Sequence, residues 1–374
     1  MAQTQEEPSP PTIRPSSYIG SQKRIRELDG WRAISVLLVI LHHLFSIQFS
    51  GLVRPVYLLW HILGLAGFLG VDTFFVISGF VICRLLVSEE SRYGFLSLKG
   101  FYYRRIFRIL PPLYLYVVAI ALLIATGLIQ ERWVSLAIAA AFLADVNVLP
   151  GSWFFGHTWS LAVEEQFYLI FPTLWILSRR RWRAFVFACV FLLCLVWNLS
   201  LAVSHQVNPA VDARTRVGFA CICFGVLMAV HERPVRHFAA RVPGWIVSLV
   251  ALTLLIHPVP HGAFNESLFS ALLMPPAIGL ILMHSLECGG WLRSFLCSRP
   301  IQAVGITSYG IYLWQQLFTA PVSLYSWEAP GAPFFLSLLC VVVPLSYFFV
   351  EKPAIHFGKM LSKGAREKAD LRSK

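Results

Sequence analysis

Charged residues are scarce in this sequence, and their scarcity excludes an ordinary soluble domain. Only 13% of the 374 residues are Asp, Glu, Lys or Arg, whereas 57% are hydrophobic and the mean hydropathy is +0.67. Soluble domains carry about 25% charged residues, which face water. A lipid bilayer is therefore the solvent that this composition fits.

Cysteine patterns that bind metals or build a disulfide framework are also lacking. The 8 cysteines include no pair separated by two residues. Cys221 and Cys223 are two positions apart, so on a helix their thiols point to different faces. The sequence supports neither a disulfide framework nor a zinc site, and we predict no bound metal.

Apolar runs fill most of the chain. They cover residues 30–49, 66–87, 109–128, 133–149, 159–178, 184–203, 215–231, 243–260, 267–286, 304–325 and 332–350. If all of them crossed a membrane, the basic clusters 102–108 and 179–183 would lie on opposite sides, which the positive-inside rule disfavours. The run 133–149 is the weakest. We therefore predict an all-α polytopic membrane protein with about ten spans and one re-entrant or surface segment at 133–149.

The net charge of +12 is spread over short clusters between the apolar runs. Such clusters are typical of cytoplasmic loops, so we interpret them as topology signals and predict no nucleic-acid partner. Residues 1–27 are polar and proline-rich, and we predict a disordered cytoplasmic tail there. Residues 28–355 form the predicted membrane domain. Residues 356–374 form a basic cytoplasmic tail, and no appended soluble domain is expected.

The first apolar run carries polar residues on one stripe. Arg32 and His43 are eleven residues apart, which is about three helical turns, so both side chains project from one face about 16 Å apart along the axis. Asp29 shares that face. Polar groups within a membrane helix are costly, and this pattern indicates a functional site.

Carboxylates occur in two other apolar runs, at nearly the membrane depth that is expected for His43. Asp72 lies in the second run, where its alternative role is a helix cap near the interface. Glu164 and Glu165 lie near the start of the run 159–178. Adjacent helical residues point about 100° apart, so at most one glutamate faces a shared cavity squarely, and we favour Glu164. His43, Asp72 and Glu164 are therefore the candidate catalytic residues.

A basic and aromatic cluster precedes the third run. Arg104 and Arg108 are one turn apart, and on a helix they would present a guanidinium pair to a phosphate, with Arg105 beside them. The alternative interpretation is a positive-inside anchor with interfacial aromatic residues, which alone explains most of the cluster. The sequence leaves both interpretations open.

Several motifs together resemble a known family, the acyltransferase-3 family of integral membrane O-acyltransferases. The resemblance extends over about residues 25 to 355. It is carried by the Arg32 and His43 spacing, Gly70–Phe80, Arg104–Tyr114, Trp159–Tyr168, Ser308–Trp314 and Phe349–Pro353.

The resemblance implies ten transmembrane helices, and we expect a location in the bacterial inner (cytoplasmic) membrane. The excess of basic residues in alternate loops predicts that both termini are cytoplasmic. The resemblance also implies transfer of an acyl group, often acetyl, from cytoplasmic acyl-CoA to a hydroxyl of a carbohydrate or lipid-linked glycan acceptor. Arg32 and His43 match the family's paired essential positions. One departure is Gln315 and Gln316, where many members carry histidine after the tryptophan.

The mechanism expected from these residues is direct attack in a ternary complex. His43 would remove the proton from the acceptor hydroxyl, because imidazole titrates near neutral pH. Asp72 or Glu164 would orient its ring. The arginines, Arg32 with Arg104, Arg105 and Arg108, would hold the CoA phosphates.

Three residues of the fifth run are expected to contact substrate, namely Trp159, Ser160 and Tyr168. The competing hypothesis is a proton-coupled transporter or flippase of a sugar or lipid-linked intermediate. In that case the intramembrane His, Asp and Glu residues would form a proton relay. A non-catalytic membrane scaffold would leave the buried charges unexplained.

Overall fold

A computed structural model describes residues 24–45, 66–146, 152–204, 209–256, 272–328 and 331–373. About 84% of the structure is helical, and no strand occurs within the described ranges. The predicted all-α class is therefore confirmed. Of the predicted N-terminal tail, residues 1–23 lie outside the described residues, and the first helix begins at Arg26.

The described helices are numbered in chain order. They are α1 (Arg26–Phe45), α2 (Gly67–Tyr93), α3 (Leu98–Ala125), α4 (Trp133–Ala140), α5 (Thr158–Leu177), α6 (Arg183–Ser204), α7 (Pro209–Val230), α8 (Glu232–Arg241), α9 (Gly244–Ile256), α10 (Met274–Glu287), α11 (Trp291–Leu296), α12 (Arg299–Ile306), α13 (Ser308–Phe318), α14 (Ala332–Ser346) and α15 (Lys352–Ser373). Each of the predicted apolar runs contains at least one of them.

Three helices in the described part of the chain are long and apolar enough to cross a membrane. They are α2, α3 and the continuous stretch Pro333–Lys368, which includes most of α14 and of α15. A fourth candidate is a bent pair, Thr215–Val230 with Glu232–Arg241, whose halves meet at 95°. The expected number of about ten spans stays a prediction.

Two of the apolar runs contain helices too short to cross. Helix α4 has 8 residues, which is about 12 Å of helix against a hydrocarbon thickness of about 30 Å. The run 304–325 is divided at Thr307, where α12 ends and α13 begins. The Thr307 hydroxyl donates to the carbonyl oxygen of Ala303 at 3.0 Å, a local bond that competes with helix continuation.

The basic C-terminal segment is a helix packed against α3. A π-helical turn, Tyr347–Glu351, joins α14 to α15. The Phe107 and Phe357 rings meet edge to face, 5.0 Å apart. Gly358 leaves room for the α3 backbone, since a side chain there would press on Phe107. The predicted cytoplasmic tail is thus an integral part of the helix packing.

Helices α2 and α7 form a close pair through small residues. A side chain at Gly79 would collide with the backbone carbonyl of Ile222, and one at Gly225 would collide with the carbonyl of Val76. Small residues at such contacts let two helix backbones approach closely, as is common for helix pairs in membranes. This pairing fixes the helix face on which Ser78 and Asp72 sit.

Candidate active site

A cavity of about 90 Å³ opens between α1, α2, α3, α5 and α13. Its polar lining residues are Arg32, Ser78, Arg105, Arg108, Ser160, Glu164, Ser308, Tyr309 and Tyr312. Five of the ten predicted site residues are among them.

Three guanidinium groups line this cavity together. Arg32 comes from α1, whereas Arg105 and Arg108 come from α3, where a three-residue spacing puts them on one helix face. Arg108 lies close enough to Arg32 and Arg105 to be repelled electrostatically by both. Like charges held together in an apolar bundle favour the binding of an anion.

Arg104 is not part of the cavity lining. Its Nη2 atom lies 2.7 Å from Oε2 of Glu89, and its Nη1 atom donates to the Ser362 hydroxyl at 2.5 Å. Glu89 is only 2% exposed. The structure therefore ties α2, α3 and α15 together through Arg104, and the guanidinium pair that faces the cavity is Arg105 with Arg108.

Arg32 is oriented from its own helix. Its Nη1 atom lies 3.6 Å from Oδ1 of Asp29, one turn earlier. Asp29 also forms an ion pair with Arg24 and is buried. The polar stripe predicted on the first run is thus present at its N-terminal end, where the acid holds the arginine at the cavity wall.

Glu164 supplies the negative charge of the cavity lining. Its Oε1 atom accepts hydrogen bonds from the hydroxyls of Ser78 and Tyr168. The Arg105 guanidinium lies over the Tyr168 ring, 4.2 Å from its centroid, in a cation–π contact. Of the two adjacent glutamates, Glu164 is the one in the lining. It partly balances the arginines, because it also interacts electrostatically with Arg108.

His43 lies further along α1, outside the residues that line the cavity. Its Nδ1 atom is 2.8 Å from the carbonyl oxygen of Val39. A carbonyl only accepts hydrogen bonds, so Nδ1 carries the proton and Nε2 keeps its lone pair. The ring packs edge to face on Trp153 at 5.9 Å. A base whose Nε2 atom keeps its lone pair fits the role predicted for His43. Asp72 or Glu164 was expected to orient the ring, whereas the structure shows the Val39 carbonyl in contact with Nδ1.

The remaining predicted site residues are distributed over different surroundings. Asp72 is buried on α2 and lies near Cys221 of α7, outside the cavity lining. Trp159 packs on the Phe75 ring at 6.0 Å, also outside it. Ser160 lines the cavity and shares a 2.5 Å hydrogen bond with the Tyr312 hydroxyl. Tyr168 contacts the site through Glu164.

Sequence reasoning assigned no role to several residues that the structure places at the cavity. Ser308, Tyr309 and Tyr312 line it from α13, and the Ser308–Trp314 motif was the available signal. Glu351 is 3% exposed at the π-helical turn, packs against Gly310 and interacts with Arg108. In the sequence, the available signal for Glu351 was a carboxylate within an apolar stretch.

A model of an acyltransferase domain family, Acyl_transf_3, matches residues 25–351. The chain belongs to this acyltransferase family. The family resemblance predicted from the motifs is thereby confirmed, and this match covers every residue of the cavity lining.

Two relatives of this acyltransferase domain come from Staphylococcus aureus. A provisionally named O-acetyltransferase of strain COL is 28% identical over 362 residues, covering 87% of this chain and 56% of that protein. O-acetyltransferase OatA of strain NCTC 8325 / PS 47 is 27% identical over 370 residues, covering 89% of this chain and 57% of that protein. The chain thus spans little more than half the length of these relatives. No solved structure matches it.

Arg104 forms an ion pair between helices, whereas Arg108 lines the cavity. Alanine substitutions at these two positions should therefore change the stability of the acyltransferase domain differently. We expect Arg104→Ala to lower the free energy of unfolding by roughly 3 kcal/mol, because it leaves the buried Glu89 carboxylate without its ion pair. Arg108→Ala relieves the repulsion with Arg32 and Arg105 but also removes the attraction to Glu164 and Glu351, so we expect a smaller loss than for Arg104→Ala. Thermal unfolding of the detergent-solubilised variants measures both. A larger loss for Arg108→Ala than for Arg104→Ala would contradict this division.

Proposed function

We propose that this chain is a membrane O-acyltransferase that moves an acyl group, acetyl in the first instance, from cytoplasmic acyl-CoA to a hydroxyl of a carbohydrate-type acceptor. The observation that carries the proposal is the convergence of Arg32, Arg105 and Arg108 in one cavity of an acyltransferase domain. The acetyl group is favoured because the relatives are named O-acetyltransferases. The acceptor class is the one that the motif resemblance implies.

The arginine cluster matches the anionic end of CoA. CoA carries a diphosphate and a separate sugar phosphate, and guanidinium groups bind phosphate oxygens in pairs. Arg105 and Arg108 would bind these oxygens from α3, and Arg32 would bind them from α1. Glu164, together with Asp29 beside Arg32, offsets part of the positive charge of the cluster before CoA binds.

In this proposal, His43 acts at the other end of the donor. It lies eleven residues after Arg32 on α1, a separation of about 16 Å along the helix axis. Phosphates held at Arg32 would leave the pantetheine arm free to extend in the direction of His43. The helix that holds the phosphates would thus also carry the base, at a fixed spacing.

The chemical step is a single acyl transfer. The acceptor hydroxyl gives its proton to Nε2 of His43, and its oxygen attacks the thioester carbonyl carbon. The carbon–sulfur bond then breaks, and the CoA sulfur takes the proton back from the imidazolium. A base of this kind contributes about 10² to 10⁴ in rate. In this proposal the Val39 carbonyl orients the ring, and Glu164 provides counter-charge.

The location follows from the same chemistry. We propose the bacterial inner (cytoplasmic) membrane, with both termini in the cytoplasm, because the basic clusters between the apolar runs fit the positive-inside rule. The arginine end of the cavity would then face cytoplasmic acyl-CoA. His43, which lies further along α1, would face an acceptor that enters from the outer side.

His43→Ala tests the base directly. We expect the rate of acetyl transfer to fall by about 10²-fold or more, with the affinity for CoA unchanged, because only the proton acceptor is removed. The measurement is thiol release from acetyl-CoA by the purified protein supplied with a membrane glycan extract of the source organism. His42→Ala is the matched control, since that ring packs on Phe68 at 4.8 Å.

Full activity in His43→Ala would remove the histidine from the chemistry. A transporter or flippase would behave differently in the same preparation. Its transport rate would require a proton gradient across sealed vesicles and would not change when acetyl-CoA is left out. That result would contradict the acyltransferase proposal.

Arg32→Ala tests the phosphate site. We expect CoA to bind about tenfold more weakly, since one charge-assisted contact to phosphate is lost. Titration calorimetry with CoA measures the change, and CoA lacking its 3′-phosphate shows which phosphate each arginine holds. Arg92→Ala is the matched control, because Arg92 is exposed at the end of α2. Equal affinities for wild type and Arg32→Ala would exclude the phosphate role.

A further inference from the structure

His157 lies immediately before α5 and is almost completely buried, with 3% of its surface exposed. Its ring packs edge to face between Tyr116 of α3 at 5.6 Å and Tyr312 of α13 at 5.4 Å. Its backbone carbonyl accepts hydrogen bonds of 3.0 Å from the hydroxyls of Ser160 and Tyr312. Three helices therefore fix the position of this ring.

Neither ring nitrogen of His157 has a hydrogen-bond partner among the described residues. A neutral imidazole has one N–H donor and one acceptor nitrogen, and both are buried here. Roughly nine in ten buried polar groups in proteins are hydrogen-bonded. A group that both donates and accepts, as a hydroxyl or a water molecule does, is the chemistry that would match these nitrogens.

The surroundings of His157 connect it to the proposed reaction. The His43 ring packs at 5.9 Å on the ring of Trp153, which lies four residues before His157 in the same turn segment, and His43 interacts electrostatically with His157. Ser160 and Tyr312, whose hydroxyls bind the His157 carbonyl, also line the cavity. His157 therefore neighbours both the proposed base and the cavity wall.

We propose that His157 is a positioning residue of the acyl-transfer site. One of its ring nitrogens hydrogen-bonds an O–H group, from the acceptor alcohol or from an ordered water, and holds that group beside Nε2 of His43. The reacting proton passes to His43, and His157 keeps its own proton throughout. This inference rests on the proposed function.

Two substitutions separate hydrogen bonding from packing at this position. His157→Phe keeps an aromatic ring and removes both nitrogens, whereas His157→Gln keeps one donor and one acceptor. We expect His157→Phe to lower kcat about 10- to 100-fold with the KM for acetyl-CoA within about twofold, and His157→Gln to recover part of the loss. Thiol release from acetyl-CoA with the glycan extract measures both.

The acceptor dependence distinguishes the two sources of the O–H group. If the group belongs to the acceptor, His157→Phe also raises the KM for the glycan extract. If it belongs to water, that KM stays at the wild-type value while kcat falls. His157→Met, which adapts its shape and makes no strong hydrogen bond, replaces the Phe variant if the latter does not yield folded protein that binds CoA.

Trp314→Phe is the matched control for burial. The Trp314 Nε1 atom is also buried without a partner among the described residues, and its ring packs on Tyr116 at 5.4 Å. We expect wild-type kcat for this variant. Equal losses in Trp314→Phe and His157→Phe, no recovery in His157→Gln, or wild-type kcat in His157→Phe would each overturn the positioning role. Absence of transfer by the wild type, or full activity in His43→Ala, would instead contradict the proposed function.

Discussion

Mutual repulsion between three guanidinium groups is the constraint on which the rest of this structure depends. As a general scale, two like unit charges about 4 Å apart repel each other by about 4 kcal/mol at an effective dielectric constant of about 20. The cavity lining brings Arg32, Arg105 and Arg108 together, and it contributes one carboxylate, Glu164. Helix packing must therefore hold these arginines close together against their electrostatic repulsion. A polyanionic ligand that binds between them lowers this repulsion energy.

Contacts between α3, α2 and their neighbouring helices hold the arginines in place. Arg104, on the face of α3 that contacts α15, is bound to Glu89 and Ser362. At the end of α2, Arg183 makes a two-point contact with Glu90, with N–O distances of 2.5 and 2.8 Å. The first ion pair joins α3 to α2, and the second joins α6 to α2. His43 lies further along the apolar helix α1, eleven residues after Arg32.

Much of the fold could be predicted from hydropathy, because each apolar run contains at least one helix. Two features could not be read from it. The break at Thr307 depends on a side-chain hydrogen bond to Ala303, which a hydropathy average does not detect. The packing of α15 on α3 depends on long-range contacts such as Phe107 with Phe357, whereas the local sequence reads only as basic.

The candidate site was predicted in part. Arg32 and Glu164 line the cavity as expected, whereas His43, expected on the same face of α1 as Arg32, lies outside the lining. Arg104 and Asp72 lie outside that lining, because the side of a helix that meets a given neighbour depends on packing that one sequence does not reveal. His157 lies two residues before the Trp159–Tyr168 motif, and its burial without a partner among the described residues is what indicates a role.

The most direct test of the central claim is a structure of this protein bound to CoA, determined by electron cryomicroscopy in lipid nanodiscs. The account predicts phosphate oxygens within about 3 Å of the guanidinium nitrogens of Arg105 and Arg108, with the CoA sulfur extending in the direction of Nε2 of His43. CoA phosphates bound away from all three arginines, or a sulfur on the side of the arginines that faces away from His43, would contradict it.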